Sequence, residues 1–77
     1  MSTTVLDVTG LSCPLPVLRA KRAMKTVPAQ GILRVLASDP AALKDMPVFC
    51  EQAGYELLSI TRSESNEIFI FEIRQPV

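Results

Sequence analysis

The chain of 77 residues contains no histidine, no tryptophan and only two cysteines. Without an imidazole ring, it cannot build a Ser–His or Cys–His catalytic couple or a histidine-ligated metal site of its own. Cys13 and Cys50 are too few for a disulfide scaffold, and their spacing matches neither a CxxC redox pair nor a zinc-ligand pattern. We therefore expect no metal and no cofactor, and any nucleophile must be activated by its electrostatic surroundings.

Long apolar runs are also lacking. No stretch approaches the roughly 18 apolar residues that indicate a membrane-spanning helix, and residues 1–4 have neither the basic nor the apolar block of a signal peptide. We expect a cytoplasmic protein with reduced thiols and no membrane partner. The length predicts a single domain over residues 1–77, with little room for a deep pocket.

Hydrophobic periodicity predicts six elements in the order β-α-β-α-β-β. The strands are expected at residues 5–9, 32–37, 55–62 and 67–74, with a hairpin turn at 63–66. The first helix is expected from residue 15 to about 26, and residues 38–53 are expected to hold one interrupted helix or two short ones. The predicted fold class is an α/β (α+β) two-layer sandwich, in which both helices pack on one face of a four-stranded mixed sheet.

Residues 10–16 read Gly-Leu-Ser-Cys-Pro-Leu-Pro and place Cys13 at the start of the first predicted helix. Pro14 and Pro16 suit a first helical turn, where unpaired N–H groups and the helix dipole stabilise an anion. The thiolate is the nucleophilic form of cysteine. We expect the helix start and nearby cations to lower the pKa of the Cys13 thiol. The alternative is a cysteine that packs as a small apolar side chain.

The formal charge of the chain is zero but unevenly distributed. The first predicted helix carries four cations and no acid, which leaves four basic and eight acidic groups, a net charge of −4, for the rest of the chain. These cations lie three or four residues apart on one helix face: Arg19, Lys21, Arg22 and Lys25. They predict a docking surface for acidic partners, or else an ordinary solvated face. Because aromatic residues are few, we expect no direct nucleic-acid binding.

Three further residues that could carry chemistry have simpler interpretations. Cys50 follows Phe49 in an amphipathic segment and is expected to be buried and inert. Asp39 and Asp45 each precede a helix-start signal that contains proline. We interpret both carboxylates as helix caps without a chemical role.

Several blocks of sequence fall in register with one known family. After Leu6-Asp7 comes the segment Gly-Leu-Ser-Cys-Pro-Leu-Pro-Val at 10–17, and further blocks are Ser-Asp-Pro-Ala at 38–41, Asp-Met-Pro at 45–47 and Phe-Cys at 49–50, with Gly54 before the third strand. The chain resembles the TusA/SirA-like sulfur-carrier family, whose Cys-Pro-X-Pro signature follows its first strand. The resemblance runs along nearly the whole chain.

The resemblance implies the same sandwich and a role for Cys13. In that family the matching cysteine accepts sulfane sulfur from a cysteine desulfurase or rhodanese-like donor, holds it as a persulfide and passes it to an acceptor protein. Gly10, Pro14 and Pro16 would support the loop that presents the thiol. Members serve tRNA thiolation, molybdenum cofactor maturation or sulfur oxidation. Those that resemble the tRNA-thiolation carrier have an acidic residue where this chain has Leu15, so no single pathway is indicated.

Two other functions are compatible with the residues. A non-catalytic interaction or regulatory module would use the basic first helix to bind a partner, and Cys13 would then be dispensable. A thiol redox protein would bring Cys50 close to Cys13 in space. The leading expectation is a sulfurtransferase-type persulfide relay, and not an enzyme that turns over a small molecule in a pocket.

Overall fold

The computed structural model describes residues 2–76. Its six elements follow the predicted order β-α-β-α-β-β. The strands are β1 (Thr3–Val8), β2 (Ile32–Ala37), β3 (Glu56–Arg62) and β4 (Phe69–Arg74), and the helices are α1 (Leu15–Met24) and α2 (Ala42–Ala53).

The four strands form one mixed sheet in the order β1-β2-β4-β3. β1 and β2 are parallel and are connected by α1, because parallel neighbours need a crossover connection. β4 pairs antiparallel with both β2 and β3. Val8 lies opposite Ala37, so the carboxyl ends of β1 and β2 are side by side at one edge of the sheet. The loops that follow these two strands therefore meet.

Both helices cover the same face of the sheet, and the core lies between the two layers. Both helices and the strands β1, β2 and β4 contribute apolar side chains to one buried cluster, and β3 adds the partly buried Leu57 at its margin. The fully buried members include Ala20 and Met24 from α1, Met46 from α2, Leu33 and Val35 from β2, and Phe71 and Ile73 from β4. The predicted two-layer sandwich is confirmed.

α2 is a single helix that continues through Pro47. Proline lacks an N–H and interrupts the backbone hydrogen-bond ladder at one step, but the flanking turns are anchored because Met46 and Phe49 are buried in the core. The alternative of two short helices is thus wrong. α2 ends at Ala53 and is capped by Gly54, whose φ of 82° is left-handed and whose N–H donates to the carbonyl of Cys50 at 3.0 Å.

Other boundaries differ from expectation by one or two residues. β1 begins at Thr3 because its first residues pair with the start of β2. α1 ends at Met24, since the N–H groups of Thr26 and Val27 donate to carbonyls three residues earlier and tighten the chain into turns. Within residues 2–76, neither helix has the length and apolar character needed to cross a membrane.

Candidate functional site

Cys13 lies on the loop between β1 and α1. As β1 ends, Asp7 Oδ1 accepts hydrogen bonds from the N–H of Thr9 at 2.9 Å and from its hydroxyl at 2.6 Å. Gly10 follows with a φ of 82°, in a region that residues with a side chain rarely adopt. A Cβ on Gly10 would meet no atom within 4 Å. Glycine is therefore favoured here by its backbone angle, and it turns the chain toward Cys13.

Two hydrogen bonds tie this loop to the loop after β2. Ser38 Oγ accepts the N–H of Gly10 at 2.8 Å, and Asp39 Oδ2 accepts the N–H of Cys13 at 2.7 Å. Asp39 Oδ1 accepts a further N–H from Ala41 at 3.1 Å, just before α2. The hydrogen bond from Cys13, followed by that from Ala41, holds the pKa of the Asp39 carboxyl below its ordinary value. This carboxylate joins the two loops.

α1 begins at Leu15, as predicted, two residues after Cys13. Pro14 caps the first turn, and its carbonyl accepts the N–H of Leu18 at 3.1 Å. Pro16 is the second helical residue and is buried. The Cys13–Pro14 peptide bond is cis. The exposed thiol of Cys13 lies at the amino-terminal end of a helix whose start contains two prolines with fixed φ angles.

The backbone of this helix start offers little to a thiolate. Pro14 and Pro16 have no N–H, and the N–H of Cys13 is already donated to the carboxylate that joins the loops. The N–H of Leu15 donates to the carbonyl of Ser12 at 2.9 Å. The first-turn donors on which anion binding at a helix start depends are therefore absent or already in use from residue 13 to 16.

The Cys13 thiol contacts a carboxylate from the other helix. Cys13 Sγ lies 3.1 Å from Asp45 Oδ2 and donates its hydrogen to it, and Asp45 belongs to the first turn of α2. This hydrogen bond, then desolvation, then the negative charges of Asp45 and Asp39 raise the pKa of the Cys13 thiol above its ordinary value. The expectation that the pKa of Cys13 is lowered is wrong. The full negative charge of the Asp45 carboxylate next to the sulfur outweighs the roughly half positive charge at the helix end.

An open groove of about 530 Å³ runs between α1 and α2, with Cys13 on its lining. Its walls are mainly apolar: Pro14, Val17, Leu18, Val48 and Phe49. Lys21 of α1 and Lys44 and Asp45 of α2 add charge. The sequence predicted little room for a deep pocket, and this groove is a shallow surface on which another molecule can reach the thiol.

The four cations predicted as docking residues lie on the exposed surface of α1 and its carboxyl end: Arg19, Lys21, Arg22 and Lys25. The first turn of α1 contains no acidic residue. Of the four, Lys21 also lines the groove. The structure therefore places one of these cations, Lys21, on the groove that Cys13 lines, and the other three on the exposed surface of the same helix and its carboxyl end.

Cys50 faces the core and is 2% exposed. Burial raises the pKa of its thiol to about 11, which leaves it protonated and poorly nucleophilic near neutral pH. Both cysteines are free thiols, and only Cys13 is exposed. Since a resolving cysteine must be accessible, this arrangement disfavours a redox pair.

Sequence reasoning missed how Asp39 and Asp45 relate to Cys13. The N-cap residue of α2 is Ala41, and no side chain caps the helix there. Asp39 accepts the N–H of Ala41 itself. Asp45 lies inside α2 and directs its carboxylate to the thiol, so its interpretation as a cap is wrong. The available signal was topological: parallel β1 and β2 bring the segments that follow them to the same edge of the sheet.

Comparisons with known proteins agree on one family. The family model for Sulfurtransferase TusA matches residues 4–75. The sulfur carrier protein TusA of Pseudomonas syringae pv. tomato is 41% identical over 71 residues, 92% of this chain and 82% of that protein. That of Allochromatium vinosum is 45% identical over 53 residues, 69% and 70% of the two chains. The structure of a SirA-like protein from Desulfitobacterium hafniense matches with a TM-score of 0.78 and 28% identity, covering 96% of each chain.

Proposed function

We propose that this chain, which belongs to the TusA sulfurtransferase family and is a sulfur carrier, takes up sulfane sulfur on Cys13 as a persulfide and relays it to an acceptor protein. The observation that carries the proposal is that the thiol of Cys13 is exposed on an open groove, whereas the other cysteine of the chain is buried in the core. A carrier must present its sulfur to two partners in turn. Cys13 is placed for that, and Cys50 is not.

The transfer needs no base and no oxidant from this chain. The Cys13 sulfur attacks the outer sulfur of a donor persulfide, R–S–SH, and forms a new S–S bond. The S–S bond of the donor breaks, its electron pair stays on the inner donor sulfur, and that sulfur takes up the proton given up by Cys13. The products are Cys13–S–SH and R–SH. Release repeats the exchange, with a nucleophile of the acceptor attacking the outer sulfur.

The donor in this proposal is a cysteine desulfurase or a rhodanese-like protein, since both carry a cysteine persulfide. The acceptor is a further protein that feeds tRNA thiolation, molybdenum cofactor maturation or sulfur oxidation. Leu15 lies two residues from Cys13 and is 41% exposed. We assign it to the surface that a partner contacts, where an apolar side chain selects other partners than an acidic one does.

Partner docking is assigned to the exposed cations of α1, with Gly10, Pro14 and Pro16 supporting the loop. Positive charge beside the groove favours an acidic partner surface and speeds the encounter. Neither proposed transfer step involves nucleic acid or membrane. The relay operates on free thiols, which fits a reducing compartment such as the cytoplasm.

The test is sulfur loading followed by intact mass. Incubation with a cysteine desulfurase and cysteine should add about 32 Da per sulfur to the wild type. Cys13→Ser should gain nothing, while Cys50→Ala, as the matched control, should load like the wild type. An unchanged wild-type mass, or a full gain in Cys13→Ser, contradicts the proposal. If Cys13→Ser also retained the cellular effect of the protein, the interaction-module alternative would replace the relay.

A further inference from the structure

Asp45 is held in place by a helix and does not lie on a loop. It belongs to the first turn of α2, and the next residue, Met46, is fully buried in the core. Its carboxylate reaches across the groove to the sulfur of Cys13, 32 positions earlier in the chain, at 3.1 Å. A helix anchored in this way holds the carboxylate against the thiol with little conformational freedom.

The charges around the Cys13 sulfur come from three segments. Asp45 and Lys44 belong to α2, Lys21 belongs to α1, and Asp39 lies on the loop after β2. Of these, the carboxylates of Asp45 and then Asp39 act on the ionisation of the thiol. Asp39 contacts the backbone N–H of Cys13, so Asp45 is the charged group in hydrogen-bond contact with the sulfur itself.

We infer that Asp45 is a second functional residue of the carrier, whose carboxylate keeps Cys13 in the thiol form until a cation of a partner pairs with that carboxylate or displaces it from the sulfur. The inference rests on the proposed role of Cys13. It assigns to Asp45 a restraining role in the free protein. The proton balance of the transfer step is unchanged, because Asp45 stays ionised and the proton of Cys13 still ends on the donor sulfur.

The restraint has a use in a protein whose cysteine is exposed. A thiolate on the surface reacts with oxidants and with electrophiles, and a thiol reacts much more slowly. A carrier held as a thiol stays available for loading. A partner that brings a cation to the groove pairs with Asp45, and the thiol then ionises where the donor persulfide is already bound.

The pH dependence of Cys13 alkylation tests this inference without any sulfur chemistry. The folded protein is treated with iodoacetamide between about pH 6 and 10, a range set by the ordinary pKa of a thiol, and the label is quantified by mass. In Asp45→Asn the midpoint of the rate profile should move to lower pH. A midpoint lower by about one pH unit means about ten times more thiolate at pH 7, partly offset by lower intrinsic nucleophilicity, so the rate there should rise about threefold or more.

Controls separate this effect from a change in folding. Glu51→Gln removes one exposed negative charge from the same helix and should keep the wild-type profile. Asp45→Ala, which removes both the charge and the hydrogen bond, should shift the profile in the same direction as Asp45→Asn. Circular dichroism establishes that each variant is folded, and Cys13→Ser identifies any label on Cys50. Unchanged midpoints in the folded Asp45 variants would overturn the inference.

The alkylation experiment also separates the role of Asp45 from the proposed uptake of sulfur on Cys13. If Cys13 takes up no sulfur but Asp45→Asn still shifts the alkylation profile, the proposed function is wrong and the restraint on the thiol stands. If Cys13 loads normally and the profile does not move, the restraint is wrong and the proposed function stands.

Discussion

Asp39 determines where the Cys13 backbone sits. One carboxylate accepts the N–H of Cys13 at 2.7 Å and that of Ala41 at 3.1 Å, so it joins the loop before α1 to the start of α2. The ionised carboxylate is the stronger acceptor for both N–H groups. The geometry of the site therefore depends on the ionisation of a residue that does not touch the sulfur.

This dependence predicts how stability changes with acid. Because the pKa of Asp39 is lower in the folded chain than in the unfolded one, its contribution is fully present above the unfolded value of about 3.9 and is lost as pH falls through the folded value. Asp39→Asn should lower the thermal midpoint at pH 7 and flatten its decline below about pH 4. Thermal unfolding followed by circular dichroism at a series of pH values measures both effects.

The comparison variant is Glu64→Gln, which changes an exposed carboxyl in the turn before β4. It should reproduce the wild-type pH dependence. An Asp39→Asn protein that declined as steeply as the wild type below pH 4 would show that this carboxylate does not join the loops in solution.

Among the elements, β4 shows most clearly how the pattern of residues determines packing. Phe69, Phe71 and Ile73 alternate along the strand and are buried against the helices, whereas Ile70 points to the other face and is only half-buried. The alternation is evident in the sequence, because a strand repeats its faces every second residue. The open face of the sheet includes the ion pair between Arg34 and Glu72, at 2.9 Å.

The two faces of β4 predict unequal losses of stability. Phe71→Ala leaves a cavity in the core and should lower the free energy of unfolding by about 3–5 kcal/mol. Ile70→Ala on the half-buried face should cost about 1 kcal/mol. Urea denaturation measures both values. Where Phe71→Ala is too unstable to measure, Phe71→Leu should still lose more than Ile70→Val. Equal losses at residues 70 and 71 would mean that the open face is covered in solution.

Element order, fold class and the bounds of β2 were predictable because they follow from local periodicity. Local patterns failed where a distant partner decides the conformation. The start of β1 was missed because Thr3 and Thr4 join the sheet only through pairing with β2. Similarly, Pro47 on its own indicates a break, yet the buried neighbours Met46 and Phe49 keep the helix continuous.

The same limit applies to the site at the scale of the whole molecule. The sequence alone was enough to identify Cys13, Gly10 and the two prolines as candidate site residues, because they lie in one short segment of the chain. The raised pKa of the Cys13 thiol could not be predicted from them, since it is caused by carboxylates 26 and 32 positions away that only the fold brings to the loop. Parallel pairing of β1 with β2 creates that contact.

Charge is also separated across the whole molecule. The cations of α1 lie on one surface, while the rest of the chain carries a net charge of −4. Lys25 lies about 15 Å along the helix axis from the end that carries Cys13, at about 1.5 Å per residue. That distance exceeds the screening length of about 8 Å at physiological salt. Lys25 can thus act on the approach of a partner without acting on the thiol.

Lys25→Glu should therefore slow sulfur uptake from the protein donor about three- to tenfold at low salt, because reversing a rim charge chiefly changes the association rate. At physiological salt its alkylation rate with iodoacetamide, a small neutral reagent, should equal that of the wild type. The matched control is Arg62→Glu, the same charge reversal on exposed β3, which should load at nearly the wild-type rate. Added salt should slow wild-type uptake and narrow the difference from Lys25→Glu. Equal losses in both variants would assign the effect to net charge and not to docking by α1.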